Sequence, residues 1–539
     1  MSSSLHPVEG EFATLHRRRF LLCASLACAV NSLPAWARRG ERLSHNPFTL
    51  GVASGDPEPD NVLIWTRLTP PQHTLGEASA TELPPSKVHW ELASDIAFRH
   101  IVSHGEAMAL SQLGHSVHVQ VNGLAPDHWY YYRFMLGDAI SAVGRCRTAP
   151  AWGSAPQRLR LAFASCQRWE HGYYAAWRQV TEDAPDLVLF LGDYIYEYAA
   201  PAMTLGMARP QPLRVAQNLQ DYRDRYALHK SDPQLQAAHA VCNWSVIWDD
   251  HEVENDYTHE EGRGETARFL NKRAAAWQAF YENMPLRTTA LARNFNGLQL
   301  YRSLHWGNLA HIHMLDGRQF RDVQACRTAG QANNGSVLPS QCQSLQDLTR
   351  SFLGQQQEQW IYNQLRNDSA SQPHSPRWSL LAQTTLFSER RMPSGAQATD
   401  SWDGYPAARQ RLTQQIARSA PRNTVLLGGD LHQNYVCAVP QDASRAPDKN
   451  NPVIASEFCG TSISSRSGTY QAKLDAIMST NPQVLYARCE ERGYGLVDIT
   501  PASMTTELRA VVNPMRADSA VYTLAKFAVQ DKQPGPRKI

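Results

Sequence analysis

Four short apolar segments in the second part of the chain each end at side chains that can bind a metal ion. A cysteine, aspartate, tyrosine or histidine follows each apolar run within five residues. These residues are Cys166 after 159–164, Asp193 and Tyr196 after 187–191, Asp250 and His251 after 244–248, and Asp430 and His432 after 425–427. Fully apolar runs of this length are typical of strands buried on both faces of an α/β sheet. One carboxylate after a strand is usually a turn residue. Because ligands bind at the carboxyl ends of such strands, four of these ends together predict one shared site.

Stretches with helical periodicity alternate with the apolar runs, and the clearest lie at residues 172–182, 265–283 and 354–366. With 539 residues, the chain is long enough for two domains. We therefore predict that residues 151–516 form an α/β domain of two packed sheets flanked by helices. Residues 517–539 follow as a tail with helical content from 517 to 532, which either covers the site as a lid or docks as an end-piece.

In the segment before this domain, residues 38–150, apolar side chains recur at every second position. Short strands with alternating apolar side chains are predicted at residues 62–67, 88–92, 117–121 and 130–134. This spacing predicts a small all-β sandwich of the fibronectin or immunoglobulin type. Residues 124–130 resemble the tyrosine corner of such sandwiches, in which the hydroxyl of a residue such as Tyr130 binds the backbone upstream; an ordinary aromatic strand is the alternative.

Residues 1–37 have the three parts of a secretion signal. Three arginines at 17–19 precede an apolar run at 20–33, and Ala35 and Ala37 provide small residues at a cleavage site. The run is shorter than the roughly 20 residues of a membrane-spanning helix, so we expect cleavage after Ala37 and no stable membrane anchor. The arginine pair resembles a twin-arginine signal, whose export machinery would then be a partner. The predicted location is the periplasm or the medium.

Charge and cysteine content limit the partners and the covalent structure. A formal net charge of +2 gives no electrostatic reason to expect a nucleic acid as partner, and a monomer is expected. In an oxidising compartment, Cys326 and Cys342 are the preferred disulfide pair, because both lie in one polar segment. The other cysteines of the mature chain are left open between disulfides and buried thiols.

The order of the motifs resembles that of the calcineurin-like metallophosphatase superfamily and, within it, of the alkaline phosphatase D (PhoD) family. The resemblance rests on short sequence motifs that span nearly all of the mature chain. They lie at 51–56, 63–67, 165–167, 192–197, 249–252, 315–322, 429–432 and 457–464. The resemblance implies a metallophosphatase-like two-sheet α/β sandwich that hydrolyses phosphate esters with metal ions.

The resemblance also implies two neighbouring metal sites that share Asp193. Cys166, Tyr196 and His432 would complete the first site. Thiolate, phenolate and imidazole ligands favour a transition metal, so we predict ferric iron there.

The second site is predicted to hold calcium. Where relatives usually have asparagine and histidine, this chain has Asp250 and Asp430, and the segment 378–383 contains no histidine. Carboxylates favour hard cations, and a flexible oxygen shell suits Ca²⁺ better than Mg²⁺. One or two calcium ions are expected, with Asp249 as a further outer ligand.

The predicted mechanism uses water or hydroxide activated by the metals, without a phosphorylated protein intermediate. His251 would protonate the leaving alkoxide or bind a phosphoryl oxygen. Arg168 would bind the phosphate through its planar guanidinium, with an exposed surface arginine as the alternative.

The predicted function is that of an exported, metal-dependent alkaline phosphatase and phosphodiesterase acting on monoesters and diesters. A phospholipase-like or nucleotide phosphodiesterase specificity on the same site is the alternative within enzymes. A surface-binding protein that uses the sandwich for adhesion is the alternative from another class.

Overall fold

The computed structural model describes residues 42–71, 75–76, 83–199, 205–290, 297–328 and 335–539. The secretion signal predicted in residues 1–37 lies outside the described residues. In the part that is described, the helices are all too short or too polar to cross a membrane.

Strands form most of the regular structure. In chain order they are β1 (Val52–Gly55), β2 (Asn61–Arg67), β3 (Ser86–Ala93), β4 (Ile101–Ala109), β5 (Ser116–Asn122), β6 (Trp129–Leu136), β7 (Ala139–Ile140), β8 (Gly144–Arg147), β9 (Leu159–Ala164), β10 (Leu187–Leu191), β11 (Asn243–Ile247), β12 (Arg302–Trp306), β13 (Ala310–Met314), β14 (Ser336–Val337), β15 (Trp378–Ala382), β16 (Gln397–Ala398), β17 (Thr424–Gly428), β18 (Asn434–Pro440), β19 (Val453–Cys459), β20 (Val484–Arg488), β21 (Gly493–Ile499), β22 (Ser503–Val511), β23 (Val521–Gln530) and β24 (Gln533–Lys538).

The α-helices cover the outer faces of the sheets. In chain order they are α1 (Ala175–Asp183), α2 (Leu219–Lys230), α3 (Pro233–Val241), α4 (Thr266–Asn283), α5 (Gln355–Asn367), α6 (Pro406–Ser419) and α7 (Gln471–Ser479). The helices predicted at 172–182, 265–283 and 354–366 are confirmed as α1, α4 and α5. Helix α2 begins at a capping box, in which the Asn218 side chain accepts from the Asp221 backbone N–H and the Asp221 side chain accepts in return.

Two sheets pack face to face and confirm the predicted α/β sandwich. The large sheet has the order β24-β23-β22-β21-β9-β10-β11-β1-β2-β5, and the second sheet has the order β12-β13-β15-β17-β19-β18-β20. Side chains alternate across β10: Leu187 and Leu189 belong to the core between the two sheets, whereas Val188 and Phe190 pack against α1 to α4. Strands β9, β10 and β11 run parallel, so their carboxyl ends lie at one edge.

The N-terminal strands form the predicted sandwich, but one of its layers belongs to the large sheet. Strands β3, β4, β6, β7 and β8 form the other layer, and its buried side chains share a core with those of β1, β2 and β5. Strand β1 pairs in parallel with β11 and joins the two parts of the chain. The predicted tyrosine corner is confirmed, because the Tyr130 hydroxyl accepts from the Ala125 backbone N–H at 3.0 Å.

The helical content predicted for residues 517–532 is wrong. These residues contain the whole of β23, which pairs antiparallel with β22 near the end of the large sheet, and β24 follows. Ala525, Phe527 and Val529 are buried between the two sheets, so the segment has a period of two. Pairing with β22 and this burial override the local helical preference. The segment is therefore part of the core sheet, neither a lid nor a loosely docked end-piece.

Removal of residues 517–539 is therefore expected to destabilise the protein strongly. Burial of Phe527 alone contributes about 3–5 kcal/mol, and the truncation also exposes the edge of β22. A thermal unfolding scan should show a much lower midpoint, whereas deletion of Ile539 alone, which is 64% exposed, should leave the midpoint unchanged. A truncated protein with the parental midpoint and higher activity on bulky substrates would support the lid instead.

The predicted disulfide between Cys326 and Cys342 is confirmed. The remaining cysteines in the described residues are free and buried, and they are Cys146, Cys166, Cys242, Cys437, Cys459 and Cys489. Among these, only Cys166 lies at one of the four strand ends predicted to form a site.

Candidate metal centre

The ends of β9, β10, β11 and β17 meet where the two sheets pack together. Two groups of side chains there have ligand atoms that all lie within 4.8 Å of one another: Cys166, Asp193 and His432 in one group, and Asp193, Asp250 and His251 in the other. Asp193 belongs to both groups. The convergence predicted from the four apolar runs is therefore observed, and a shared carboxylate lies between the two groups.

The backbone at these strand ends has an unusual conformation. Cys166, Asp193, Asp430 and His432 have φ of 61°, 60°, 65° and 55°, in the left-handed region. Such conformations cost roughly 1–3 kcal/mol each for residues with a Cβ and cluster at functional sites. The preceding Gly192 has φ of 97°, and a Cβ there would lie 2.5 Å from the Asp249 Cβ, so a close turn requires glycine.

Tyr196 adjoins the first group, and hydrogen-bond acceptors outnumber the available protons there. The Tyr196 hydroxyl lies 2.9 Å from Asp193 Oδ2, 3.0 Å from His432 Nε2 and 2.8 Å from Ser465 Oγ. His432 Nδ1 donates to the carbonyl of Arg466 at 2.8 Å, because a carbonyl can only accept. His432 Nε2 is therefore an unprotonated acceptor, and the single phenolic proton serves only one of two acceptors. A cation satisfies such a group better than hydrogen bonds do.

Burial determines the protonation of the first group in the absence of a cation. Burial raises the pKa of Cys166 and of Tyr196 well above their usual ranges, and the charge of Asp193 raises both further. Burial lowers the pKa of His432 to about 4, so its imidazole is neutral and able to bind a metal. A metal ion would reverse the first two shifts by favouring thiolate and phenolate.

In the second group, His251 is oriented by a buried carboxylate. Its Nδ1 lies 2.8 Å from Glu197 Oε2, and its ring packs on Tyr196 with 4.2 Å between ring centroids. Burial lowers the pKa of His251, but the charges of Asp250, Asp193 and Glu197 raise it more, to a net value well above the usual range. Without a metal, His251 is therefore protonated and can donate a proton.

Three buried carboxylate oxygens in the second group or next to it accept no hydrogen bond. They are Asp193 Oδ1, Asp249 Oδ2 and Asp250 Oδ1. Burial raises the pKa of Asp193 well above its usual range, more than the charge of His251 lowers it, and Asp250 and Asp249 add to the increase. Unpartnered buried oxygens are costly, so this donor set fits a cation with oxygen ligands.

Asp430 lies outside both groups, although its location at the strand end is as predicted. Its Oδ2 accepts from Thr385 Oγ1 at 2.7 Å. Burial and, after it, the charge of nearby Asp250 raise its pKa to about 6. Thr385 follows β15, the strand in which the sequence has no histidine. Asp430 is thus within electrostatic range of the second group without direct contact to its ligand atoms.

Arg318, the main cation next to the second group, was not among the residues predicted for the site. Its guanidinium is buried and pairs with Asp249 and Asp400, and it lies 3.4 Å from Asp250. Arg318 lies in the sequence motif at 315–322, so the motif could have indicated a role for it in the site. No motif contains Asp400. Glu197 was likewise present in the motif at 192–197 without a predicted role.

Arg168 lies at the rim of the first group. Its guanidinium stacks over the ring of Tyr198 at 4.9 Å and lies 5.6 Å from the Tyr196 ring centre. Its Nε donates to Glu170 Oε1 at 2.6 Å. The side chain is 20% exposed, so it is neither a free surface arginine nor a buried ligand.

Comparison with known proteins identifies the family. Residues 161–508 match the model of the PhoD-like phosphatases, and residues 34–150 match the model of the N-terminal domain of PhoD-like phosphatases. The chain belongs to the PhoD-like phosphatase family. It is 40% identical over 523 residues to alkaline phosphatase D of Bacillus subtilis (strain 168), covering 95% of this chain and 85% of that relative.

A solved structure supports the same assignment. The structure of PhoD superimposes with a TM-score of 0.84 at 38% identity, covering 93% of each chain. The resemblance stated from the motifs is therefore confirmed, as is the predicted fold. As a member of the PhoD-like phosphatases, the chain is a phosphoric ester hydrolase.

Proposed function

We propose that the protein is an exported, metal-dependent alkaline phosphatase and phosphodiesterase that hydrolyses monoesters and diesters with activated water or hydroxide. The observation that carries this proposal is Asp193, whose carboxylate is shared by two groups of potential metal ligands. Two cations joined by one carboxylate suit phosphate ester hydrolysis, because both the attacking and the leaving oxygen need charge stabilisation.

Iron is the metal proposed for the first group. Cys166, Tyr196 and His432 would bind it together with Asp193. The thiol and the phenol are buried and protonated unless a strongly polarising cation is bound. Sulfur and nitrogen ligands with a phenolate favour a transition metal such as Fe³⁺.

Calcium is proposed for the second group. Asp250 and Asp430 would bind one or two calcium ions together with Asp193, and Asp249 would contribute as an outer ligand. Support comes from the buried oxygens of Asp193, Asp249 and Asp250 that accept no hydrogen bond. Asp430 would have to turn from its hydrogen bond with Thr385, which the flexible coordination of calcium accommodates.

The side chains around the metal ions would donate a proton to the leaving group and bind the phosphate. When bound, the metal ions polarise the phosphoryl oxygens and lower the pKa of a bound water molecule. Glu197 holds the Nδ1–H of His251, which leaves Nε2 as the atom that would give a proton to the leaving alkoxide. Arg168, at the rim, would bind a phosphoryl oxygen through its guanidinium.

Replacement of His251 by glutamine is expected to affect poor leaving groups most. An alkyl phosphate needs a proton on its leaving oxygen, so kcat should fall about 10²- to 10³-fold. A p-nitrophenyl ester leaves as a stable anion, so its kcat should fall much less. Parallel measurement on both esters tests the role. Equal losses would contradict it and would indicate a phosphate-binding or structural role for His251.

Substrate class is tested by rates on a monoester, on bis-p-nitrophenyl phosphate and on a phospholipid, each with and without a chelator. We expect turnover of the first two that is lost with chelator and restored by iron and calcium. Dominant activity on phospholipids or nucleotides would favour the alternative specificities. Absence of metal-dependent turnover would favour the surface-binding protein.

Export and domain organisation complete the proposal. Residues 1–37 would be a twin-arginine signal, which suits a protein that folds around metal ions before export to the periplasm or the medium. Residues 38–150 would form the N-terminal sandwich and residues 151–516 the catalytic domain, whose large sheet is extended by β23 and β24 of residues 517–539. The protein would act as a monomer without a stable membrane anchor.

A further inference from the structure

Three arginines lie next to the first group, around Ser465. We call Arg168, Arg466 and Arg492 the arginine rim. The Ser465 hydroxyl touches the Tyr196 hydroxyl at 2.8 Å and the Cys166 carbonyl at 2.9 Å. The rim therefore adjoins the candidate metal ligands directly.

Each arginine of the rim is held at Ser465 or next to it. The Arg168 backbone N–H donates to Ser465 Oγ at 3.0 Å, and Arg492 Nε donates to the Ser465 carbonyl at 3.2 Å. Arg466 is the next residue, and its carbonyl accepts from His432. The backbone of Arg168 and Arg466 and the guanidinium of Arg492 are thus positioned by contacts at Ser465 and His432.

The positive charge of the rim is only partly compensated. Glu170 pairs with Arg168 at 2.6 Å. Within the described parts of the chain, neither Arg466 nor Arg492 forms an ion pair with an acidic side chain, which leaves two positive charges. Both side chains are partly buried, so water screens them incompletely.

The neighbouring groups respond to this charge. Burial and, after it, the charges of Arg168 and Arg466 lower the pKa of His171 to about 3. Burial also lowers the pKa of Arg492, with a contribution from Arg466. Like charges held this close without an acidic partner are unfavourable, and an anion would relieve the repulsion.

We propose that Arg466 and Arg492 of the arginine rim bind a second phosphate group of the substrate, beside the phosphate that is hydrolysed. Planar guanidinium groups bind phosphate oxygens in pairs and keep their charge at every relevant pH. The rim would make the enzyme favour phosphate esters that carry two phosphate groups close together. This inference rests on the proposed function.

The test compares two p-nitrophenyl phosphodiesters of one nucleoside, with and without a second phosphate on the sugar. Their reacting bond and leaving group are identical, so the ratio of kcat/KM reports only the second phosphate. We expect the wild-type enzyme to favour the bisphosphate about tenfold, and Arg466→Gln and Arg492→Gln each to remove most of this preference. Raising the ionic strength should weaken the preference in the wild-type enzyme.

Two further variants control for charge and for general damage. Arg466→Lys keeps the charge without the planar fork and should retain part of the preference. Arg445→Gln, at an exposed position away from the rim, should leave both rates unchanged. If either rim variant fails to fold, the other provides the same comparison.

The outcomes separate the two proposals. A wild-type ratio that both rim variants leave unchanged, with both esters hydrolysed, would overturn the role of the rim alone. Absence of hydrolysis of either ester by the metal-loaded wild-type enzyme would overturn the proposed function on which the rim depends.

Discussion

Replacement of Asp193 by asparagine is expected to lower kcat for a phosphate monoester at least about 10³-fold, which corresponds to about 4 kcal/mol. Asp193 is the one side chain common to both groups of candidate ligands. Asparagine keeps the size of the side chain but removes the charge that two cations would share. Metal content per protein molecule should fall together with kcat, because the ligand proposed to bind both cations is lost.

The matched control is Asp475→Asn, which removes the same charge from an exposed position on α7. Both kcat and metal content should then equal those of the parent protein. An Asp193→Asn variant with full metal content and near-normal kcat would show that the two groups are not joined by this carboxylate.

Replacement of Arg318 by methionine should lower the free energy of unfolding by about 3–5 kcal/mol. Arg318 is buried, and its guanidinium pairs with Asp249 and Asp400 and lies near Asp250. Methionine fills similar space but leaves these buried carboxylates without their cation. Denaturant unfolding in the presence of a chelator measures the effect without a contribution from bound metal.

Arg516→Met provides the comparison for this stability measurement. Arg516 pairs with Asp518, but these side chains are 64% and 67% exposed, so solvent screens the pair. The free energy of unfolding should not change. If Arg318→Met were as stable as the parent protein, the buried carboxylates would be protonated or would relax toward water, and Arg318 would not compensate their charge.

Local sequence patterns predicted the features that depend on neighbouring residues. The apolar runs that end at Cys166, Asp193 and His432 are buried strands, because complete burial of both faces leaves a continuous apolar signature. The hydrogen bond to the Tyr130 hydroxyl and the disulfide between Cys326 and Cys342 were also predictable, because the partners in each pair lie close in sequence.

Features that depend on distant partners were not predictable. Residues 517–532 look helical locally, but pairing with β22 places Phe527 in the core between the sheets. Asp400 lies 82 residues from Arg318 in sequence, and no local pattern marks it as the partner. The pairing of β1 with β11, which joins the N-terminal sandwich to the large sheet, was not predictable either, because the two strands are far apart in sequence.

Asp430 illustrates a limit within the site itself. Its position after β17 was predicted, because it follows an apolar run. Its carboxylate accepts a hydrogen bond from Thr385, which follows β15. The family motif therefore locates the residue at the strand end, while its hydrogen-bond partner comes from the end of another strand and the residue lies outside the two groups of ligand atoms.

The most direct test of the metal centre is metal analysis combined with a visible absorption spectrum of the purified protein. We expect iron and calcium, and a visible charge-transfer band from ferric iron bound to Tyr196 or Cys166. Tyr196→Phe and Cys166→Ala should each shift or abolish the band and lower kcat. A colourless, fully active protein that contains only zinc would contradict the iron site.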